Sequence, residues 1–248
     1  MDVSSAAPHT RDALRRLKEL DACAVSDALD SLGLRGVVAG IVPLWSAGRI
    51  AGTVRTVSMR PVVAGEPPPG THLGAAAIDS AVPGDVIVVA NHGRLDSAAW
   101  GGLLSAAAAR KGVAGVIVDG ACRDVGEAAA AGFPVFARAA SPVSARGRSV
   151  EEATDTPVEI GDVRVAAGDL VVADASGVVF IPRDPANEVL EAAERIVLKE
   201  RSMLHEISAG APVQEVLDGR YETMLQGEQE GPTPSGSEEH GGAAGAVD

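Results

Sequence analysis

A chain of 248 residues, 46% of them hydrophobic, carries ample core material for one large domain or two small ones. Aromatics make up only 2%, so Val, Leu, Ile and Ala must fill that core, as they do in α/β folds with parallel sheets. The formal net charge of −13 disfavours a broad basic surface for nucleic acid and leaves metal-bridged small anions as the natural ligands.

No apolar run reaches membrane length and Met1 to Arg11 lacks an apolar signal segment. The two cysteines, Cys23 and Cys122, form neither a disulfide framework nor a zinc cluster. The expectation is a cytoplasmic protein with neither membrane nor nucleic acid as partner.

In chain order, Leu14, Leu17 and Leu20 among Arg and Lys predict an amphipathic helix over Thr10 to Leu20, and Ala24 to Leu32 predicts a second, closed by Gly33. Asp27, inside the latter, is a packing or capping residue by default or a distant support for a site. Ile41 to Leu44 and Ile50 to Met59 read as strands. The loop from Gly65 to Gly70, with three consecutive prolines, turns the chain into a helix over His72 to Ala81.

Pro83-Gly84-Asp85 then leads into an apolar strand, Val86 to Ala90. Asp96 or Ser97 is placed to cap a helix in which Trp100, Leu103, Leu104 and Ala107 recur at helical spacing, with Gly112 as its stop. Gly115 to Val118 is a second wholly apolar run, ending at Asp119-Gly120 as a strand covered on both faces would. A short helix, Val125 to Ala131, precedes a strand over Phe133 to Ala137, and Ser141 to Ser149 is a polar loop.

The second half is β-rich, with strands over Val158 to Ile160, Leu170 to Ala173 and Val178 to Ile181. Asp184, with Pro185 after it, opens a long helix to Gly210. Residues 227–248, rich in Gly, Glu, Pro, Ser and Ala, read as a disordered tail after a single domain over 1–226.

The strand, helix, strand order around residues 86–118 closes as a right-handed crossover, so the loops after both strands emerge at one sheet edge. The first delivers a helix N-terminus at Gly101-Gly102-Leu103-Leu104, whose early N–H groups suit an anion. The second delivers Arg123 and Asp124, which could hold an anionic substrate and a cation side by side. The same residues also admit a plainer reading: Asp124 and Glu127 have capping-box spacing, Arg123 is solvated, and Trp100 is core.

Several chemistries have no motif. There is no Gly-x-Gly-x-x-Gly after a strand, no P-loop and no nucleophile elbow, and the five histidines have no paired spacing for zinc. Cys122 has no histidine near it in sequence to act as its base. The three lysines, Lys18, Lys111 and Lys199, occupy no buried strand end for a Schiff base, so carbon–carbon chemistry on a keto acid would need a metal as electron sink, with Asp124 as the oxygen ligand.

Four segments, Val25-Ser26-Asp27-Ala28-Leu29-Asp30, Gly40-Ile41-Val42-Pro43-Leu44, Trp100-Gly101-Gly102-Leu103-Leu104 and Asp119-Gly120-Ala121-Cys122-Arg123-Asp124, resemble the RraA-like proteins, with similarity running from about Leu20 to Gly210. The resemblance implies an α/β sandwich with a swivelling β/β/α core, N-terminal helices and a long C-terminal helix. It implies a class II pyruvate-type aldolase that uses Mg²⁺ or Mn²⁺ to cleave 4-hydroxy-2-oxo dicarboxylic acids, with oxaloacetate decarboxylation as a side activity. The alternative within the family is a non-catalytic regulator of ribonuclease E.

Carried over by position, Asp124 binds the metal, Arg123 contacts the pyruvyl oxygen, and the amides of Leu103 and Leu104 in the Gly101-Gly102 turn hold the carboxylate. An acidic residue from a neighbouring subunit of a homotrimer or hexamer assists, and Glu200 is its match here. One departure stands out: Gly102 occupies a position where the aldolases usually carry Glu or Asp. The intact Arg123-Asp124 pair favours enzyme over regulator.

Overall fold

The computed structural model describes residues 8–66 and 72–217. The tail at 227–248, His240 and most of the proline loop lie outside them.

Helices α1 (Pro8–Leu17) and α2 (Ala22–Ser31) lead the chain, followed by the short strands β1 (Val37–Val38) and β2 (Val42–Pro43) and the long strand β3 (Ile50–Pro61). Then come α3 (Ala75–Ser80), β4 (Val86–Trp100), α4 (Gly102–Lys111), β5 (Gly115–Cys122), α5 (Val125–Ala130) and β6 (Val135–Ala140). The second half contributes β7 (Ser149–Thr154), the hairpin β8 (Val158–Ile160) and β9 (Val163–Val165), the pair β10 (Leu170–Asp174) and β11 (Gly177–Ile181), and the helices α6 (Ala186–Ser208) and α7 (Val213–Val216).

The main sheet runs in the order β1-β11-β10-β3-β4-β5-β6-β2, with β7 also against β3. Strands β3, β4, β5 and β6 are mutually parallel, and the flanking pairs are antiparallel. β3 joins the two halves: Ile50 to Thr53 pair with β10, while Val54 to Ser58 pair with β4.

Strict alternation in the parallel strands separates two cores. Ile87, Val89, Val116 and Val118 face α3, α4 and α5, whereas Val86, Val88 and Ile117 face the β8–β9 hairpin and the inner side of β10 and β11. The outer side of β10 and β11 is covered by α1, α2 and α6. The result is an α/β sandwich with helices on both outer faces and two β-layers between, as the sequence resemblance implied. No described helix is long and apolar enough to cross a membrane.

Several elements differ from expectation. No helix begins at Asp96 or Ser97, because β4 continues to Trp100 and buries Ala98, Ala99 and Trp100. The polar groups that would have capped a helix are otherwise engaged. Asp96 pairs with Arg94 at 2.9 Å, the Ser97 hydroxyl lies 3.0 Å from that of Ser149, and the buried Asn91 amide donates to the Ser97 carbonyl at 3.2 Å. Residues 91–97 thus form a bulged excursion, across which the pairing with β5 shifts register and then resumes at Ala98 and Trp100.

β5 likewise runs past Asp119-Gly120 to Cys122, and the helix expected over His72 to Ala81 shortens to Ala75–Ser80. Strands β7 and β9 fall where no strand was expected, β7 being drawn against β3 by tertiary pairing. Asp184 makes no cap, since α6 starts from Pro185 without a side-chain hydrogen bond. Along α6, Val189, Leu190, Ala193 and Ile196 are buried, but Leu198 and Leu204 lie open, so its second half runs beyond the core.

Gly52 sits where β3 crosses the turn before β4, and a Cβ there would lie 2.3 Å from the Gly84 carbonyl oxygen and 2.8 Å from Val86. Backbone cannot yield as a side-chain end can. Gly52→Ala is therefore expected to lower unfolding free energy by about 1–3 kcal/mol in urea titration. Gly126→Ala, in α5 with open space around the added methyl, is expected to raise it by roughly 0.5–1 kcal/mol.

Candidate active site at the ends of the parallel strands

Because β3, β4, β5 and β6 run parallel, the segments that follow them all emerge at one edge. A cleft of about 730 Å³ opens there. It is lined by Val62 and Glu66 after β3, Gly101 to Leu104 after β4, Arg123 and Asp124 after β5, and Ser144 to Gly147 after β6, with His72, Leu73 and Glu151 completing the wall. The structure brings together the expected residues Gly101, Gly102, Leu103, Leu104, Arg123 and Asp124.

Their convergence has a local cause. Trp100 pairs with Cys122 across the β4–β5 ladder, and the Arg123 N–H donates to the Trp100 carbonyl at 3.0 Å, so the last residues of both strands are held side by side. Trp100 is itself fixed: its ring stacks on Phe133 at 6.3 Å and its indole N–H donates to Ser105 Oγ at 3.0 Å. Ser105 Oγ in turn donates to the Gly101 carbonyl at 3.1 Å, which ties the first turn of α4 to the strand end.

Asp124 adopts the left-handed backbone, φ 56° and ψ 40°, which costs most L-residues roughly 1–2 kcal/mol and is tolerated best by Asn, Asp and Gly. That conformation turns its carboxylate away from α5. It makes no capping bond to α5, so the capping-box expectation fails; Oδ2 instead accepts the Gly102 N–H of α4 at 3.1 Å and the Arg123 Nε–H at 3.0 Å. Both bonds use one oxygen, and among the described residues Oδ1 meets no donor.

The Gly102 amide is the main reason that the Asp124 carboxyl titrates below its usual range; partial burial opposes it, and the hydrogen bond and charge of Arg123 reinforce it. Among the described residues, the next two amides of α4, Leu103 and Leu104, meet no acceptor at the edge of the cleft, as the first N–H groups of a helix do.

The other charges of the cleft divide clearly. Glu66 is bound by Arg60, which together with the Val63 N–H brings its pKa down to about 2. Glu151 accepts from the Gly74 N–H at 2.6 Å and the Thr154 hydroxyl at 2.5 Å. Arg146, on the loop after β6, has no carboxylate partner among the described residues.

Sequence reasoning missed His72, Arg146 and Glu151. The signal for Arg146 was available, since its loop follows a parallel strand and must surface at the same edge. His92, the histidine nearest the site in sequence, lies elsewhere, with Nε2 2.9 Å from the Met59 carbonyl. Cys122 is fully buried and burial pushes its thiol well above the usual range, as in a core cysteine.

Asp27 and Glu200 do not reach the cleft of their own chain. The pKa of each is raised, first by partial burial and then by neighbouring carboxylates, Asp30 and Asp21 for Asp27, and Asp21 and Asp27 for Glu200.

Residues 22–180 match the RraA-like family model, described as Aldolase/RraA. The chain is 32% identical over 185 residues to a protein of Halalkalibacterium halodurans named "Putative 4-hydroxy-4-methyl-2-oxoglutarate aldolase", covering 74% of this chain and 83% of that one. It is also 32% identical over 204 residues to protein DlpA of Legionella pneumophila, covering 82% of this chain but only 32% of DlpA, so it spans about a third of that relative's length. Among solved structures, Streptomyces coelicolor RraAS2, described as an unusual member of the RNase ES inhibitor RraA protein family, superposes with a TM-score of 0.69 at 29% identity, covering 80% of this chain and 96% of that one. The chain belongs to the RraA-like family.

A titration tests the electrostatics. In the metal-free protein, the Asp124 side-chain carbon followed by NMR is expected to titrate with a midpoint below the ordinary value of about 3.9. Since the folded value is depressed, the stability contributed by this group is full above the unfolded pKa and is lost as pH falls through the folded one. Arg123→Met is expected to raise the midpoint while leaving it depressed, because the Gly102 amide remains.

Proposed function

We propose that this cleft is a divalent-metal-dependent lyase site that releases pyruvate from 4-hydroxy-2-oxo dicarboxylic acids, with oxaloacetate decarboxylation as a related activity. The observation that supports this reading most is the arrangement of Asp124: one carboxylate oxygen is spent on Gly102 and Arg123, and the other is open toward the cleft. An ionised carboxylate with an unused oxygen suits Mg²⁺ or Mn²⁺, which accept one or two protein carboxylates and take water and substrate oxygens for the rest. Bound there, such an ion would supply the Lewis acidity that draws charge onto the keto oxygen.

The chain's own groups account for the remaining steps. The Leu103 and Leu104 amides, at the positive end of α4, bind the carboxylate next to the keto group. Arg123 donates through Nε to Asp124 and keeps its terminal nitrogens for the keto oxygen. When the C3–C4 bond breaks, the C4 hydroxyl loses its proton and becomes a carbonyl, and the bonding pair passes into the enolate of pyruvate, whose oxygen Arg123 stabilises. The proton lost from the C4 hydroxyl goes to solvent and one is returned from solvent to C3, giving pyruvate with no net proton consumed. Arg146, which has no carboxylate partner among the described residues, is available for the distal carboxylate of a dicarboxylic substrate.

None of the three lysines lines this cleft, in keeping with a mechanism without a Schiff base. Glu200 completes the site of a second copy in a trimer or hexamer in this reading, since within its own chain it stands beside Asp21 and Asp27. The likeness to RraAS2 supports a second reading, a non-catalytic partner of a ribonuclease, under which no keto acid would be turned over.

Pyruvate release from a panel of keto acids, with chelator and with Mg²⁺ or Mn²⁺ restored, separates the two. Activity is expected only with the metal, and full activity in excess chelator would remove the metal from the mechanism. Asp124→Asn keeps a residue that tolerates the left-handed backbone, so melting in chelator is expected to stay nearly unchanged while metal-dependent turnover falls by orders of magnitude. Arg146→Ala is expected to raise KM for dicarboxylic substrates but not for monocarboxylic ones. Sedimentation is expected to report a trimer or hexamer, and Glu200→Gln to lower turnover without changing that state.

A further inference from the structure

Gly102 lies between two carboxylates. Its N–H donates to Asp124 Oδ2 at 3.1 Å, and on its other side Glu127 Oε2 stands 1.8 Å from the point where a Cβ would be, with the Glu127 Cδ at 2.8 Å. The Glu127 carboxylate thus occupies the volume a side chain at 102 would fill, and any such side chain would move it aside. The first turn of α5 sets this up: the Glu127 N–H donates to the Asp124 carbonyl at 3.0 Å, and residues three apart share a helix face. Glu127 does not cap α5, and its carboxylate accepts no hydrogen bond among the described residues.

We infer that Glu127 is a positioning residue of the proposed metal site, and that Gly102 is glycine so that the Glu127 carboxylate can stand beside Asp124 at the foot of α4. Two carboxylates gathered at one glycine offer oxygens to the same divalent cation. One helix turn thus supplies both, with Asp124 as the ligand that also binds Arg123 and Glu127 as the second anionic oxygen facing the cation or its water. Substituting residue 102 displaces the second without touching the first. The inference rests on the metal-dependent reading above.

The test is Mn²⁺ binding to the full-length protein, read from the EPR signal of free Mn²⁺ and from the Mn²⁺-induced shift in melting temperature. Glu127→Gln, an isosteric change at an exposed position, is expected to weaken Mn²⁺ binding about 10–100-fold, the range for groups that orient a metal's ligands. It is expected to leave the melting temperature in chelator nearly unchanged. Gly102→Ala, which keeps Glu127 but pushes its carboxylate aside, is expected to show the same loss. The double variant Gly102→Asp with Glu127→Ala, which moves the carboxylate from one element to the other, is expected to recover much of the affinity. Wild-type Mn²⁺ affinity in both Glu127→Gln and Gly102→Ala, with binding lost in Asp124→Asn, would overturn the role of Glu127 and leave the metal site standing. Wild-type affinity in Asp124→Asn as well would overturn the metal-dependent reading itself.

Discussion

The hydrogen bond from the Gly102 amide to Asp124 joins the end of one parallel strand to the start of the helix that follows its neighbour. It holds Asp124 in a left-handed conformation that an isolated chain would seldom adopt, orients Arg123 through the same carboxylate oxygen, and leaves the other oxygen open. It also takes the first free amide of α4 out of use, so that an incoming anion meets the Leu103 and Leu104 amides rather than Gly102. Breaking this one bond would leave the Asp124 carboxylate held by Arg123 alone.

That bond forms because the fold has already placed its partners. The β4–β5 ladder resumes at Ala98 and Trp100 after the 91–97 excursion, and Trp100 is locked by Phe133 and Ser105. The excursion is held by buried polar contacts of Asn91 and Ser97 and by the Ala98 N–H donating to the Val143 carbonyl at 2.8 Å. This last contact also docks the loop after β6, so one irregular strand positions both the turn at Gly101-Gly102 and the loop that carries Arg146. A buried polar network of this kind specifies one arrangement, since any alternative would leave its members unpaired.

Electrostatics follow from which charges the protein consumes. Glu66 is neutralised by Arg60, whereas Glu151, also in the wall of the cleft, is fixed in place by the Gly74 N–H and the Thr154 hydroxyl. Among the described residues, Arg146 and the terminal nitrogens of Arg123 have no carboxylate partner. A chain of net charge −13 thereby keeps two arginines at one cleft, with the Asp124 carboxylate between Arg123 and α4. By contrast Asp119, which is buried, is held by Arg138 and by the Gly161 N–H at 3.1 Å, and ties the parallel sheet to the β8–β9 hairpin.

What the sequence determined by itself were the features set by local pattern. The apolar runs at 86–90 and 115–118 marked strands covered on both faces, the order strand, helix, strand implied parallel pairing, and parallel pairing sent residues 101–104 and 123–124 to one edge. Those inferences need only periodicity and handedness, so they held. Tertiary structure decided what depends on distant partners. β4 extends to Trp100 because β5 and the Val143 carbonyl satisfy its backbone there, which overrides the capping propensity of Asp96 and Ser97. β7 exists only because β3 offers it an edge. Asp124 and Glu127 have the spacing of a capping box, yet neither caps α5, because the amide of Gly102, remote in sequence but adjacent in space, competes for the Asp124 carboxylate and the missing side chain at 102 opens the space that Glu127 fills.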